Sequence, residues 1–435
     1  MASGTAGERE RADRAAARAA HGVGQLRERL EGKRICICAG PGGVGKTTVS
    51  AALALGLAAE GRRVAVVTID PARRLAGALG LRPGHAAGAK AAGAPLQVPA
   101  ALLDAAGIEL AGELWAVTLE ARGTFDRLVE ELAPDRRTRE AVRSNRVYRE
   151  LIAGEAGSQE IAAVAELYAL ARSGRFEAIV LDTPPAVHAI DFLEAPAKLA
   201  SFLESRAIAM FLAAAGVQED EAPAAAGGRA RSVARALPRA IRTRALSSAT
   251  AILLALFARA TGLEVVSELA DFLRVIALAG DPLRARAHAV EALLREDDAT
   301  FLIVTTPEHG PAREAQALHR RLLDLGLPYG GLVVNRVHSG QAPSLSEARA
   351  RASLTRVAGV KMGARLAANL SDFAKLAQGD AAVVEALCDS LAERAPICVP
   401  QVEGEIEDLR ALADLAQRLL GAGGRPAGGA GAGPP

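Results

Sequence analysis

Residues 34–50, Arg-Ile-Cys-Ile-Cys-Ala-Gly-Pro-Gly-Gly-Val-Gly-Lys-Thr-Thr-Val-Ser, constrain this chain more than any other stretch. An apolar run ends at Gly40, and after four residues Gly45-Lys46-Thr47 opens an Ala/Leu-rich segment. Strand, glycine loop and helix in that order form an anion cradle: a loop with little side-chain bulk lets backbone N–H groups converge at a helix N-terminus. Gly42, Gly43, Val44, Gly45, Lys46, Thr47 and Thr48 are the residues of that cradle. Lys46 would add a point charge on the β and γ phosphates of a nucleotide, and the Thr47 hydroxyl would take one position on Mg²⁺. An ordinary glycine turn would leave unexplained why the loop sits between an apolar strand and a periodic helix.

The second strand expected, Arg63 to Asp70, runs into Thr68-Ile69-Asp70-Pro71-Ala72-Arg73-Arg74. An acid at the C-terminal end of a strand next to a phosphate loop lies where open α/β sheets bind ligands. Asp70 is equally placed to cap a helix that starts at Pro71. Further on, Phe176 to Leu181 reads as a buried strand ending in Asp182, the second acid that phosphate-loop enzymes use to hold Mg²⁺, commonly through water. Pro184 and Pro185 then force a shaped loop as far as His188.

The rest of the chain completes an α/β pattern. Strands are expected at Arg34 to Ala39, Thr300 to Thr306, Gly331 to Val337 and Pro396 to Val402, with helices at Thr47 to Glu60 and Leu409 to Leu420. None alternates polar with apolar residues, which implies a parallel sheet covered on both faces. Two stretches, about 101–172 and 192–298, read as helical sections, the first with Leu114-Trp115-Ala116-Val117-Thr118-Leu119-Glu120 as its aromatic landmark. Within it, Ser158 and Glu160 suit a helix start. Residues 1–32 form a charged extension and 421–435 a Gly/Ala/Pro tail too poor in apolar content to order itself.

Composition excludes some classes. A net charge of only +2 gives no global case for nucleic acid. Arg231, Arg235, Arg239 and Arg242 recur near helical spacing, but such a stripe is more often a solvated face than an acidic-lipid or partner surface. The N-terminus lacks the apolar core of a signal peptide, and the run Ala245 to Ala258 is short for a membrane span. Four cysteines at 435 residues make no disulfide framework, so a reducing cytoplasm, with peripheral membrane contact as an option, is the expected setting.

Four separated stretches together resemble the ArsA-type anion-transporting ATPases, which include arsenite-pump ATPases and the targeting ATPases for tail-anchored proteins. They are Gly42-Gly43-Val44-Gly45-Lys46-Thr47-Thr48, Thr68-Ile69-Asp70-Pro71-Ala72, Asp182-Thr183-Pro184-Pro185 with His188, and Val333-Val334-Asn335. The resemblance spans residues 33–420 and implies an α/β P-loop NTPase fold with a mainly parallel sheet and an inserted helical subdomain. It further implies ATP and Mg²⁺ as cofactors and a homodimer that couples nucleotide state to a client or membrane partner. Asp70 would orient the attacking water, Asp182 and the loop to His188 would form a second switch, and Asn335, helped by the loop after Pro400, would read adenine. Glu160 matches an acidic loop position in the family.

Departures from the family pattern matter as much. No cysteine lies between Cys38 and Cys388, so neither a metalloid site nor a zinc-clasped dimer is expected. Cys36 and Cys38, two apart on a strand, face the same side and read as small core hydrophobes. Pro41 occupies the position where many members place a lysine that crosses to the partner's nucleotide. A cation supplied in trans can change phosphoryl transfer about 10³- to 10⁵-fold. Unless Arg73 or Arg74 fills that role, turnover should be slow or partner-dependent. A nucleotide-sensing scaffold with little turnover, or the ATPase subunit of an anion or metalloid exporter, are the alternative readings.

Overall fold

The computed structural model describes residues 26–69, 74–81, 94–133, 135–153, 158–183, 194–201, 204, 272, 280–338, 347–402, 406 and 408–421. Asp70, the loop 184–193 with His188, and the arginine stripe 231–242 lie outside the described residues. In chain order the elements are β1 Ile35–Ala39, α1 Lys46–Ala59, β2 Arg63–Thr68, α2 Arg74–Ala78, β3 Leu96–Gln97, α3 Ala100–Ala106 and β4 Glu113–Thr118. Then come α4 Ala121–Leu132, α5 Arg136–Ser144, α6 Arg146–Ala153, α7 Ser158–Arg172 and β5 Ala178–Asp182. The C-terminal part adds α8 Gly280–Arg295, β6 Ala299–Thr305, α9 His309–Asp324, β7 Tyr329–Val337, α10 Glu347–Leu391, β8 Ile397–Pro400 and α11 Leu409–Leu420.

The strands form one sheet in the order β3-β4-β2-β5-β1-β6-β7-β8. All pairings are parallel except β3 with β4. Every residue of β1, β5 and β6 is buried, the signature of central strands sandwiched between helices. One side is closed by α1 and α11. Gly56 lets them meet: a Cβ there would lie 2.5 Å from Leu420 Cδ1, so Gly56→Leu would force the pair apart. Leu412 and Leu419 are fully buried in this layer, each worth about 1.5–3 kcal/mol of apolar transfer.

One expectation is corrected here. Leu114 to Thr118, placed by sequence within a helical section, belongs to strand β4, whose register with β2 runs Arg63↔Glu113 to Thr68↔Thr118. Short apolar runs suit buried strand and buried helix alike, and the free edge of β2 decides for strand. Strand β4 therefore interrupts the first helical stretch between α3 and α4, which starts at Ala121.

The chain divides into two compact units, residues 1–120 with 167–191 and 293–435, and residues 121–166 with 192–292. The first holds the sheet. There Arg29 makes a two-pronged ion pair with the buried Glu393, at 3.0 and 2.9 Å, while the Tyr329 hydroxyl donates to the same carboxylate at 2.9 Å. The second unit packs Phe125, Leu128, Val142, Tyr148, Ala162 and Ala165 into its own core, with Phe272 against it.

Candidate functional site

The loop after β1 starts with Gly40 pressed on the neighbouring strand: a Cβ there would fall 1.9 Å from the Val304 carbonyl oxygen, so only glycine lets the chain turn away from β6. Gly45 is barred twice, by a φ of +91° and by the Asn335 amide nitrogen 2.4 Å from where a Cβ would stand. Lys46 opens α1 buried, and its Nζ donates to the Pro41 carbonyl oxygen at 2.7 Å, folding the side chain back over the loop. Gly42 and Gly43 are exposed at the loop crest and Thr48 lies part-buried behind it.

Asp182 sits at the end of β5, which runs between β2 and β1, with Thr68 and Cys38 as its register partners. One of its oxygens, Oδ2, accepts from Thr47 Oγ1 at 2.7 Å and from Thr68 Oγ1 at 3.0 Å. The next residue, Thr183, anchors the strand end by donating through its hydroxyl to the Cys38 carbonyl at 2.9 Å. The parallel order β2-β5-β1 thus brings two hydroxyls and a carboxylate to the C-terminal edge of the sheet beside the lysine. Thr68 was not singled out by its sequence position. The signal that reveals it is strand adjacency, which a linear reading of the chain lacks.

Asn335, near the end of β7, donates from Nδ2 to the Val44 carbonyl at 2.8 Å and accepts the Arg336 N–H on Oδ1 at 3.0 Å. It therefore holds the glycine loop from across the sheet, and the amide retains one N–H and one lone pair for a further group. Arg336 adopts a left-handed φ of 59°, a local strain next to the amide it bonds. Pro400 ends β8 opposite Val337, so it shares the Asn335 edge of the sheet. Glu160 is buried in the first turn of α7.

The donor set suits Mg²⁺ and a polyphosphate. A threonine hydroxyl beside a carboxylate supplies hard oxygen ligands, and the glycine loop leaves its backbone open above Gly43, where a Cβ would meet nothing within 4 Å.

Residues 33–212 match the family model described as anion-transporting ATPase. Over that stretch the chain is similar to the ArsA-type ATPases. Curated relatives agree. ATPase GET3 of Podospora anserina is 27% identical over 165 residues, 38% of this chain and 43% of the relative. The arsenical pump-driving ATPase of Acidiphilium multivorum is 32% identical over 170 residues, 38% of this chain and 26% of the relative, and that of Escherichia coli 31% over 170 residues with the same coverage. The matched segments span less than half the length of these relatives. The ArsA-type match takes in the glycine loop, β2 and Asp182 and stops short of Asn335 and Pro400.

Proposed function

We propose that the chain is an ATP-binding and ATP-hydrolysing switch of the ArsA type, working as a homodimer that couples nucleotide state to a client or membrane partner. The observation that carries this reading is the convergence of Thr47 and Thr68 on one Asp182 oxygen beside Lys46. Residues 33–420 would act as one ATPase domain with helical insertions.

Lys46 would exchange its Pro41 carbonyl contact for, or share it with, the β and γ phosphates, while backbone N–H groups of the loop orient them. Mg²⁺, when bound, would supply charge neutralisation across the phosphates. Thr47 would ligate it directly, and Asp182 would hold its water shell while the Thr68 hydroxyl keeps the carboxylate aimed. Asp70, two residues beyond β2 in the sequence, would orient and polarise the attacking water. Asn335 and the backbone after Pro400 would read adenine.

Pro41 favours a second reading, a nucleotide sensor with little turnover, because its side chain offers no cation to a partner's transition state. The test is steady-state ATPase activity of the wild type beside Lys46→Ala and Asp70→Asn, with nucleotide binding measured on the same samples. The enzyme reading expects both variants to lose at least tenfold. Equal rates in all three would remove it, and tight ATP binding without turnover would select the sensor.

A further inference from the structure

Among the described residues, the exposed large apolar side chains lie, Leu323 apart, on α10. This helix is broken at Gly359 (φ 81°, ψ 166°), and its two parts fold back on each other. At Gly363 a Cβ would lie 2.5 Å from the Thr355 Cα, whereas eight residues of unbroken helix would separate the two by about 12 Å. Gly363, against Thr355 of the first part, and Ala367 are both buried. A different face stays uncovered: Met362, Leu366, Leu370, Phe373 and Leu376 are 38–53% exposed. Their spacing of four, four, three and three residues draws one apolar stripe about 21 Å long.

We infer that this stripe is covered by the same stripe of a second copy, paired antiparallel about a two-fold axis. Charge complementarity favours that occupant. Arg365 and Asp372 precede Leu366 and Phe373 by one residue each, so they flank the stripe on the same side, seven residues apart and out of reach of one another. Antiparallel pairing centred between Leu366 and Phe373 brings Arg365 beside the partner's Asp372, and the two-fold axis makes that contact twice. Within its own helix Asp372 meets only the exposed Lys375, at 3.0 Å. Asn369, within the stripe, supplies a polar residue of the kind that selects one register.

The second part of α10 is tied to the end of β7. The His338 N–H and ring Nδ1 both contact Asp380 Oδ2, at 2.7 and 2.9 Å, and the ring stands edge-on to Phe373 with centroids 5.7 Å apart. His338 follows Asn335 by three residues, so a shift of the β7 end would reach the stripe directly. The inference deepens the two-subunit reading above and rests on it for the partner's identity. Unlike that reading, it requires no nucleotide and no metal. A stripe this short covers less than the roughly 800 Å² per partner of a standard interface, so the pairing should be reversible in the micromolar range.

The test is sedimentation of the full chain in chelator, without nucleotide, over about 1 to 100 µM. Wild type should dimerise reversibly, and Leu366→Asp with Phe373→Asp should raise Kd at least tenfold. Arg365→Asp and Asp372→Arg, exposed positions that leave folding intact, should each weaken the dimer about three- to tenfold, and together should restore it. Failure of nucleotide-driven closure would leave these nucleotide-free results untouched. A wild-type monomer throughout, or charge reversals that do not rescue one another, would overturn the inference. So would a monomer that floats with anionic phosphatidylglycerol vesicles through this stripe, which would assign the face to lipid.

Discussion

Thr68 and Asp182 face each other in register across β2 and β5, and the Thr68 hydroxyl donates to the carboxylate oxygen that Thr47 also engages. Both threonines are bound to a single oxygen, so the carboxylate cannot rotate without losing two bonds together. Thr68→Val keeps the shape and removes one of them. A hydrogen bond to a charged group contributes about 1.5–3 kcal/mol. Urea unfolding should register a loss of about that size, and titration should show weaker Mg²⁺ dependence of nucleotide binding. Thr68→Ser should recover most of both.

Asn335→Ala should loosen the glycine loop, since the amide that braces the Val44 carbonyl disappears. An ATP affinity lower by about tenfold is expected from one lost hydrogen bond. Measuring GTP alongside separates two roles: loss of loop bracing lowers both nucleotides equally, while loss of base reading lowers ATP more.

Pro41→Lys should raise turnover. Lys46 is anchored by the carbonyl of residue 41 and not by its ring, so the substitution leaves that bond available. If the two-subunit site is correct, steady-state rates should rise at least tenfold at concentrations that favour the dimer, with little change in ATP affinity. The companion experiment replaces Arg73 and Arg74 with alanine. A drop of tenfold or more would identify a substitute cation, and unchanged turnover would exclude one at these positions.

Glu393 should make the sheet acid-labile. Burial pushes its carboxyl upward, but hydrogen bonds from Arg29, the Ala395 N–H and Tyr329 outweigh it and hold the group below its ordinary value. A depressed folded value means stabilisation that is complete above the ordinary carboxylate range, about 4.3, and is lost as pH falls through the lower folded value. Glu393→Gln should cost about 2 kcal/mol at neutral pH, less than a fully buried pair because the Arg29 side chain is 29% exposed. Wild type and variant should converge in unfolding experiments below that window.

Cys36, Cys38 and Cys388 should resist alkylation in the native protein. All three are buried, and the Cys36 thiol is held well above its ordinary value by its hydrogen bond with Cys38 and by burial. Burial also pushes Cys398 up to about 12. Mass spectrometry at mildly alkaline pH should find label only after unfolding, and rapid native labelling of Cys36 would contradict the packing described.

Much of the fold was legible where local chemistry is unambiguous. The glycine loop is a contiguous motif, and β1, β5 and β6 show no polar alternation because both faces are covered. What escaped was set by partners distant in sequence. Leu114 to Thr118 has no period of its own and becomes a strand because β2 offers it an edge. The bond between Asn335 and Val44 joins residues 291 apart, and no pattern within either segment announces it. The covering of the exposed stripe of α10 is equally beyond the sequence, since amphipathic spacing says that a face will be covered and not by what.

Pro41 holds Lys46 through an atom that every amino acid possesses. If the proposed ATPase switch is right, the grip on the phosphates can persist whatever side chain stands there, so its speed and its occupancy become separately adjustable. A lineage, or an engineer, could then set that clock at one codon while leaving the appetite for nucleotide alone.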